Sequence, residues 1–283
     1  MVDKNILKNI KLVVLDLDGT LLNDRGEIGS ESLKLIARLK QEGVKFTIAS
    51  GRLHSSIMDY AKQMNLDIPL ISLDGSLIKS NSTGKIFFES FIPQKKAIKA
   101  LNYANRYLSL VAFCHENAIY YTEHNENIFS IIEKYGAAFV QVEDYIPYSK
   151  KCLEIVLASD SRENLSEINE RLNFPYTFGL YTNLFKSHSS PGVYCLEIRK
   201  AGSSKAKALF RLIRKIGVKI SETAVIGDWY NDKSLFETKA LKVAPANAVA
   251  EIRYAAQIKT MRTNNEDAVA EFLQMLISVR NGS

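Results

Sequence analysis

The chain has 283 residues and a formal net charge of +6, from 37 Lys and Arg against 31 Asp and Glu. Hydrophobic residues make up 46% and charged residues 24%, a composition that is typical of a globular protein with a large core and that excludes a disordered or fibrous chain. Basic and acidic residues are interspersed, without long runs of like charge, so nucleic-acid binding is not expected. The positive balance equally suits a small anionic substrate.

The start of the chain and its apolar segments predict a cytoplasmic protein. No apolar run approaches the roughly 18 to 20 residues that would cross a bilayer, and acids come too early in MVDKNILKNIKLVVLD for a secretory signal. Cys114, Cys152 and Cys195 are odd in number and far apart, which disfavours a disulfide framework and a Cys-x-x-Cys metal site. We expect reduced thiols in strands and no membrane or nucleic-acid partner, and the sequence leaves the oligomeric state open.

The first part of the chain alternates buried-type strands with amphipathic helices. Residues 12–15, Leu-Val-Val-Leu, form an unbroken aliphatic run, which is typical of a strand that is covered on both faces of a parallel sheet. The elements that follow are a helix over 30–42 that ends at Gly43, a strand over 44–49, a helix over 55–64 and a strand over 69–73. This βαβαβ order predicts a doubly wound sheet.

From about residue 85 the order of elements changes. The next elements are a helix over 94–107, strands over 110–114 and 118–122, a helix over 127–135, a strand over 152–158, a helix over 162–172, and strands over 176–185 and 193–198. Adjacent short strands mixed with helices predict an α+β layer with an antiparallel sheet. The α/β order then returns with a helix over 203–216, strands over 223–226 and 241–244, and a helix over 266–279. We therefore predict a Rossmann-like α/β core, residues 1–84 and 199–283, with an inserted cap, residues 85–198.

Acidic side chains follow two predicted strands at their carboxyl ends, where ligands bind in open α/β sheets. Asp16 and Asp18 follow the first strand and point the same way if the chain stays extended, and Asp228 and Asp232 follow the strand over 223–226. Three or four carboxylates without a His or Cys partner predict a hard-cation site, for which Mg²⁺ is the natural occupant. Solvated helix N-caps would explain any one of these acids but not all of them together. The four histidines lack the spacing of metal ligands.

Four motifs, in this order along the chain, resemble those of the haloacid dehalogenase superfamily. They are DLDGTL at 16–21, SGR at 50–52, GSSK at 202–205 and GDWYND at 227–232. The insertion between the second and third motifs, with LEI at 196–198 before the third, is similar to that of the Cof-type sugar-phosphatase branch. NA at 247–248 and NEDAV at 265–269 echo the tail of that branch, so the resemblance spans nearly the whole chain.

The resemblance implies a phosphatase that works through a covalent intermediate. Asp16 would attack a phosphomonoester and form an aspartyl-phosphate. Asp18 would protonate the leaving alcohol and then activate water. Ser50 and the Gly51 amide would hold a phosphoryl oxygen, and Lys205 would screen charge on the nucleophile and the phosphoryl group.

The resemblance also implies how the metal is held. Asp228, with Asp16 and the backbone carbonyl of Asp18, would bind Mg²⁺. Asp232 would act through water or orient Lys205. The implied substrate is a small phosphorylated metabolite such as a sugar phosphate, although the sequence does not name it.

Some positions depart from the usual pattern of this branch. They are Asp74 in place of Asn, Pro245 and Ala246 in place of Met-Gly, Ala268 in place of Gly, and Trp229 in place of a small residue. None of these departures removes a catalytic group. Asp74 would add negative charge near the phosphate, which bears on the substrate and the rate.

Two interpretations stay open for the remaining candidate residues. Arg52 contacts the phosphate or caps a surface helix. The polar turn over 183–192, with Asn183, Lys186 and His188, contacts substrate over Asp16 or is a solvated hairpin of the cap.

Three other functions use similar chemistry. The same aspartyl-phosphate could be passed to an alcohol, as in a phosphotransferase or phosphomutase. A phospho-receiver signalling module also uses clustered Asp and a Lys, but it is shorter and carries its phosphorylated Asp on a middle strand. A non-catalytic binding module is disfavoured because Asp16, Asp18, Lys205 and Asp228 are all present.

Overall fold

The computed structural model describes residues 3–132, 138–173, 179–187 and 190–282. Contacts divide the chain into two compact units. The first comprises Met1–Gly51, Ile57–Phe87 and Ser204–Ser283, and the second comprises Arg52–Ser56 and Phe88–Ser203. The assignment of these units as a catalytic core and a cap stays a prediction. Within the described residues, no helix is long and apolar enough to cross a membrane.

All helices and strands predicted from the sequence have counterparts in the structure. The strands are β1 (Leu12–Leu15), β2 (Lys45–Ile48), β3 (Leu70–Ser72), β4 (Leu77–Lys79), β5 (Ile86–Glu89), β6 (Leu110–Cys114), β7 (Ala118–Tyr121), β8 (Ala138–Gln141), β9 (Glu154–Ser159), β10 (Leu180–Lys186), β11 (Tyr194–Lys200), β12 (Thr223–Ile226), β13 (Leu241–Ala244) and β14 (Ile258–Lys259). The helices are α1 (Lys4–Lys8), α2 (Ser30–Gln41), α3 (His54–Gln63), α4 (Gln94–Arg106), α5 (Ile128–Ile132), α6 (Arg162–Asn173), α7 (Lys205–Ile216), α8 (Lys233–Phe236), α9 (Ala250–Ala255) and α10 (Ala268–Arg280). Sequence patterns do not predict β4, β5, β8, β14, α1, α8 or α9, because such short segments show too few residues for a period.

The first unit is built on a parallel sheet with strand order β14-β13-β12-β1-β2. Every residue of β1 and β12 is buried, as expected for central strands of a parallel sheet that is covered on both faces. The register aligns Leu15 of β1 with Ile226 of β12, so both strands end at the same edge of the sheet. The residues that follow these two strands therefore lie side by side.

The predicted βαβαβ order is present, and its third strand joins the sheet by a single parallel bridge rather than by a ladder. β3 pairs antiparallel with β4 in a separate sheet of order β3-β4-β5, and a single bridge between Ala49 and Ile71 connects it to the end of β2. The antiparallel pairing of β3 with β4 follows from the turn at Leu73, Asp74 and Gly75, whose φ angles of 47°, 46° and 95° reverse the chain directly after β3.

The second unit is an α+β layer, as predicted, with a six-stranded sheet of order β10-β11-β9-β6-β7-β8. Neighbouring strands are antiparallel except for β7 and β8, which are parallel. Helices α4 and α6 pack on one another and on this sheet. Their shared core is apolar and includes Leu101, Phe113, Ile155 and Ile198.

One predicted turn is shorter in the structure than in the sequence analysis, and the three cysteines are located. β10 continues through Lys186, so the turn predicted over 183–192 begins only after that residue. Cys114 and Cys195 lie in strands, as predicted, whereas Cys152 lies just before β9, and all three thiols are buried and unlinked. Residues 133–135 of the predicted helix and residues 176–178 of the predicted strand lie outside the described residues.

Residues in and beside the tail motifs, near positions 247 and 265, form hydrogen bonds that stabilise neighbouring loops and a helix start. The Asn247 side chain donates a hydrogen bond to the Gly19 carbonyl (2.7 Å) and accepts one from the Asn264 backbone N–H (2.9 Å). Asp267 caps the first turn of α2, because its carboxylate accepts hydrogen bonds from the Ser32 N–H (3.0 Å) and the Ser32 hydroxyl. The tail therefore holds the loop that follows β1 and the start of the next helix.

Candidate active site

The carboxyl ends of β1 and β12 bring Asp16 and Asp228 to one edge of the sheet. Asp16 directly follows β1 and donates its backbone N–H to the Ile226 carbonyl at 3.0 Å. Asp16 and Asp228 are 4% and 7% exposed, so the chain buries both carboxyl groups. Since neighbouring parallel strands end together, their order and register decide this meeting.

Lys205 is the first residue of α7, and its side chain is fully buried among carboxylates. Its Nζ donates hydrogen bonds to Asp16 Oδ1 and Asp232 Oδ1, both at 2.6 Å, and lies 3.8 Å from Asp74 Oδ1. Burial by itself would lower the pKa of this ammonium group. The nearby carboxylates of Asp16, Asp232 and Asp74 outweigh that effect and raise the pKa of Lys205 well above its usual value. The surrounding carboxylates therefore favour the ammonium form of Lys205.

Asp232 has both carboxylate oxygens engaged by the protein. Oδ1 accepts the Lys205 hydrogen bond, and Oδ2 accepts backbone N–H groups of Asp228 (3.0 Å) and Trp229 (3.3 Å). A Cβ on Gly227 would collide with this carboxylate, so the close approach requires glycine there. The sequence predicts that Asp232 acts through water or orients Lys205. The structure contains its hydrogen bond with Lys205.

Three carboxylates cluster closely enough to bind a metal ion together. Oxygen atoms of Asp16, Asp228 and Asp232 all lie within 4.8 Å of one another. Burial raises the pKa of Asp16, and repulsion from Asp232 adds to that rise. The same two causes, in the same order, raise the pKa of Asp228 to about 7, although Thr20 donates a hydrogen bond to its Oδ1 at 2.9 Å. Buried like charges with only oxygen donors fit a hard divalent cation, whose charge would relieve their repulsion.

Asp18 lies near this cluster, since its carboxylate adds to the effects of burial and of Asp232 that raise the pKa of Asp228. Its side chain is exposed, and its carboxylate is not among the three clustered groups. The chain turns after Asp16, since the Thr20 N–H donates to the Leu17 carbonyl at 3.2 Å and Gly19 has a φ of 73°. An exposed carboxyl group is accessible to water and to a leaving group, which suits the acid and base roles implied for Asp18.

The second motif lies beside the turn that follows β3. Ser50 is buried, donates its N–H to the Ile71 carbonyl and accepts the Asp74 N–H at its own carbonyl, both at 3.0 Å. Gly51 lies against the Asp74 side chain, because a Cβ at Gly51 would be 3.4 Å from Asp74 Oδ1. Their roles in phosphate binding stay predictions.

The remaining predicted site residues belong to the second unit. Arg52 groups with that unit, and its two interpretations remain open. Asn183 donates to Glu197 Oε2 at 3.4 Å across the β10–β11 pair, and Lys186 ends β10. His188 lies outside the described residues. Contact of these three polar residues with substrate stays a prediction.

Sequence reasoning missed two contacts inside its own motifs. Thr20 binds Asp228, and Asn231 donates from Nδ2 to Asp74 Oδ1 at 3.3 Å. Both residues lie in the quoted motifs, so the motif strings contain the signal. Their partners, however, come from distant segments of the chain.

The parallel sheet and the carboxylate–lysine cluster at its strand ends define the chain as an α/β protein with a candidate active site at one edge of the sheet. A model of the haloacid dehalogenase-like hydrolase family matches residues 13–273, and the chain belongs to this family. The family predicted from the four motifs is thereby confirmed.

Similar proteins cover nearly the whole chain. Phosphatase YwpJ of Bacillus subtilis is 24% identical, with 95% of this chain and 100% of that protein covered. The 5-amino-6-(5-phospho-D-ribitylamino)uracil phosphatase YitU of the same species is 26% identical, with 95% and 98% covered. The crystal structure of a haloacid dehalogenase-like hydrolase from Bacteroides thetaiotaomicron is 26% identical and has a TM-score of 0.80, with 94% of this chain and 98% of that one covered. The predicted fold class is confirmed by this likeness.

Proposed function

We propose that this protein is a Mg²⁺-dependent phosphatase that hydrolyses small phosphorylated metabolites through an aspartyl-phosphate on Asp16. The observation that carries the proposal is the hydrogen bond from the fully buried Lys205 ammonium group to Asp16 Oδ1 at 2.6 Å. The carboxylate of Asp228 belongs to the same cluster as Asp16. A carboxylate in contact with an ammonium group can approach a phosphate dianion without prohibitive repulsion. Two similar proteins named as phosphatases support the same activity.

The first half-reaction transfers the phosphoryl group to the enzyme. A carboxylate oxygen of Asp16 forms a bond to phosphorus while the bond from phosphorus to the leaving oxygen breaks. Asp18, in its protonated form, gives its proton to that leaving oxygen, so an alcohol departs. Lys205 neutralises charge between the nucleophile and the phosphoryl oxygens throughout.

The second half-reaction returns the enzyme to its starting state. Asp18, now a carboxylate, removes a proton from water, and the water oxygen attacks phosphorus. The bond between Asp16 and phosphorus breaks, which restores the Asp16 carboxylate, the protonated Asp18 and free inorganic phosphate. Ser50 and the Gly51 amide hold phosphoryl oxygens in both steps.

Mg²⁺ would be held by the carboxylates of Asp16 and Asp228 and by the Asp18 carbonyl. When bound, it supplies positive charge that offsets the phosphate and the clustered acids. Asp232 is a positioning residue in this proposal, because both of its oxygens already accept hydrogen bonds from Lys205 and the backbone.

Sugar phosphates and related polyol phosphates are the substrate class that we propose. The similar protein YitU is named for a ribityl phosphate compound, which is a phosphorylated polyol joined to a uracil. The net charge of +6 also favours anionic substrates. A panel of phosphorylated metabolites, assayed for phosphate release with Mg²⁺, tests the proposal, and we expect turnover of sugar or polyol phosphates. Absence of release from every member of the panel and from para-nitrophenyl phosphate would refute it.

The variant Asp18→Asn separates hydrolysis from signalling. We expect it to slow breakdown of the phospho-enzyme more than its formation from para-nitrophenyl phosphate, since an activated leaving group needs little acid while water still needs a base. Phospho-enzyme should then accumulate, as measured by intact mass spectrometry after an acid quench. Asp59→Asn, at an 82% exposed side chain, serves as the charge-matched control. A wild-type protein that keeps its phosphate for minutes without multiple turnover would instead point to a receiver.

A further inference from the structure

Asp74 occupies a strained turn beside the candidate active site. Leu73 and Asp74 both adopt left-handed backbone conformations, with φ of 47° and 46°, before Gly75 at 95°. Consecutive left-handed residues other than glycine are unfavourable and persist only where the surroundings enforce them, which is common at functional sites. The turn is also buried, since Leu73 is 0% exposed and Asp74 is 7% exposed.

The Asp74 carboxylate in this strained turn lies near Asn231 and Lys205. Its Oδ1 accepts a hydrogen bond from Asn231 at 3.3 Å and lies 3.8 Å from Lys205 Nζ. Its backbone N–H donates to the Ser50 carbonyl at 3.0 Å, and its side chain lies alongside Gly51. The carboxylate therefore lies next to the cation and to both proposed phosphate contacts of the second motif.

Three carboxylates share the Lys205 ammonium group. One ammonium group faces Asp16 and Asp232 at 2.6 Å and Asp74 at 3.8 Å. Asp74 is the outermost of the three, beyond hydrogen-bond length, so it is not needed to satisfy the closest contacts of the lysine. It nevertheless places a full negative charge where a phosphate dianion would meet the same cation, and like charges at such separations in a protein repel strongly.

We infer that Asp74 is an affinity-limiting residue that weakens the hold of this site on phosphate and so promotes release of inorganic phosphate after hydrolysis. The inference rests on the proposed function, and it assigns Asp74 to product release rather than to chemistry. A site with Asn in its place would keep the hydrogen bond from Asn231, because an amide oxygen also accepts, but would lose the repulsion. The dianion is then held more tightly, and its dissociation becomes slower.

The test compares binding of inorganic phosphate to wild-type protein, Asp74→Asn and Asp67→Asn at saturating Mg²⁺. Asp67 is an exposed acid ahead of β3, at the other end of the strand from Asp74, so its variant matches the change in net charge. Isothermal titration gives the Kd for phosphate, and competition with para-nitrophenyl phosphate gives its Ki. We expect Asp74→Asn to bind phosphate at least tenfold more tightly, with a lower KM and an unchanged or lower kcat, and Asp67→Asn to stay within about twofold of wild type.

Asp74→Gly provides a second route to the same loss of charge. Glycine adopts the left-handed conformation without strain, so this variant is expected to fold even if the Asn variant does not. Unchanged or weaker phosphate binding in a folded Asp74 variant, or no phosphate binding by any of the proteins, overturns the inference. Failure of the proposed function is separate, since it appears as absent turnover by wild type, whereas the Kd comparison needs no turnover.

Discussion

Asp16→Asn is expected to lower phosphatase turnover by several orders of magnitude, roughly 10⁴-fold or more, while the protein stays folded. An amide cannot form the acyl-phosphate, and Asp232, which Lys205 also contacts at 2.6 Å, has its other oxygen engaged by backbone N–H groups. The fold should tolerate the change, because an amide oxygen can still accept the Lys205 hydrogen bond. Phosphate release from the best panel substrate measures the loss, and circular dichroism checks the fold.

Removal of the metal should mimic this variant in the wild-type protein. EDTA is expected to abolish turnover, and added Mg²⁺ should restore it, since uncompensated carboxylates of Asp16, Asp228 and Asp232 would face the substrate phosphate. For the Asp16→Asn variant, the surface variant Asp59→Asn controls for the change in net charge. Near-normal turnover by Asp16→Asn, or by wild type in EDTA, contradicts the mechanism.

Lys205→Met is expected to lose both activity and stability. Methionine fills similar space without charge, so Asp16 and Asp232 would remain buried with no cation between them. Breaking a buried ion pair by removal of one partner typically costs about 3 to 5 kcal/mol. We expect a loss of that size in the free energy of unfolding, measured by denaturant titration with EDTA present, and a fall in kcat of about 10³-fold or more, by the loss of transition-state charge stabilisation.

The matched control is Lys207→Met, because Lys207 is exposed in the same helix. It should leave both stability and kcat close to those of wild type. If Lys205→Met and Lys207→Met lost equal stability, the pairing of Lys205 with the buried acids would contribute nothing measurable. If Lys205→Met kept its activity, Lys205 would have no part in phosphoryl transfer.

Much of the candidate site follows from local sequence patterns. Aliphatic runs at 12–15 and 223–226 predict two buried strands, and the structure confirms both with the same bounds. Because parallel strands end at a common edge, acids after these runs are expected near one another. Asp16 and Asp228 do meet there, within the cluster that also contains Asp232.

Other contacts could not be predicted because they join distant segments of the chain. Lys205 contacts Asp16 across 189 positions of sequence, and the Asp24 side chain accepts hydrogen bonds from Asn264 and Asn265 near the opposite end of the chain. A motif names the residue types, but it contains no distance between motifs. Asp18 shows the same limit, since its spacing from Asp16 predicts a shared direction but not that its side chain is exposed while that of Asp16 is buried.

The sequence by itself determined the α/β class, the strands and helices long enough to show a period, and the residue types available to the site. Only the tertiary structure decided that β3 joins the parallel sheet by a single bridge, that both oxygens of Asp232 accept hydrogen bonds from Lys205 and the backbone, and that Asp74 lies near the same lysine. The physical reason is that secondary structure follows from neighbouring side chains and their period, whereas pairing, burial and electrostatic contact depend on which remote surfaces pack together. A left-handed turn at Leu73 and Asp74 has no such period, so its consequences became visible only in the folded chain.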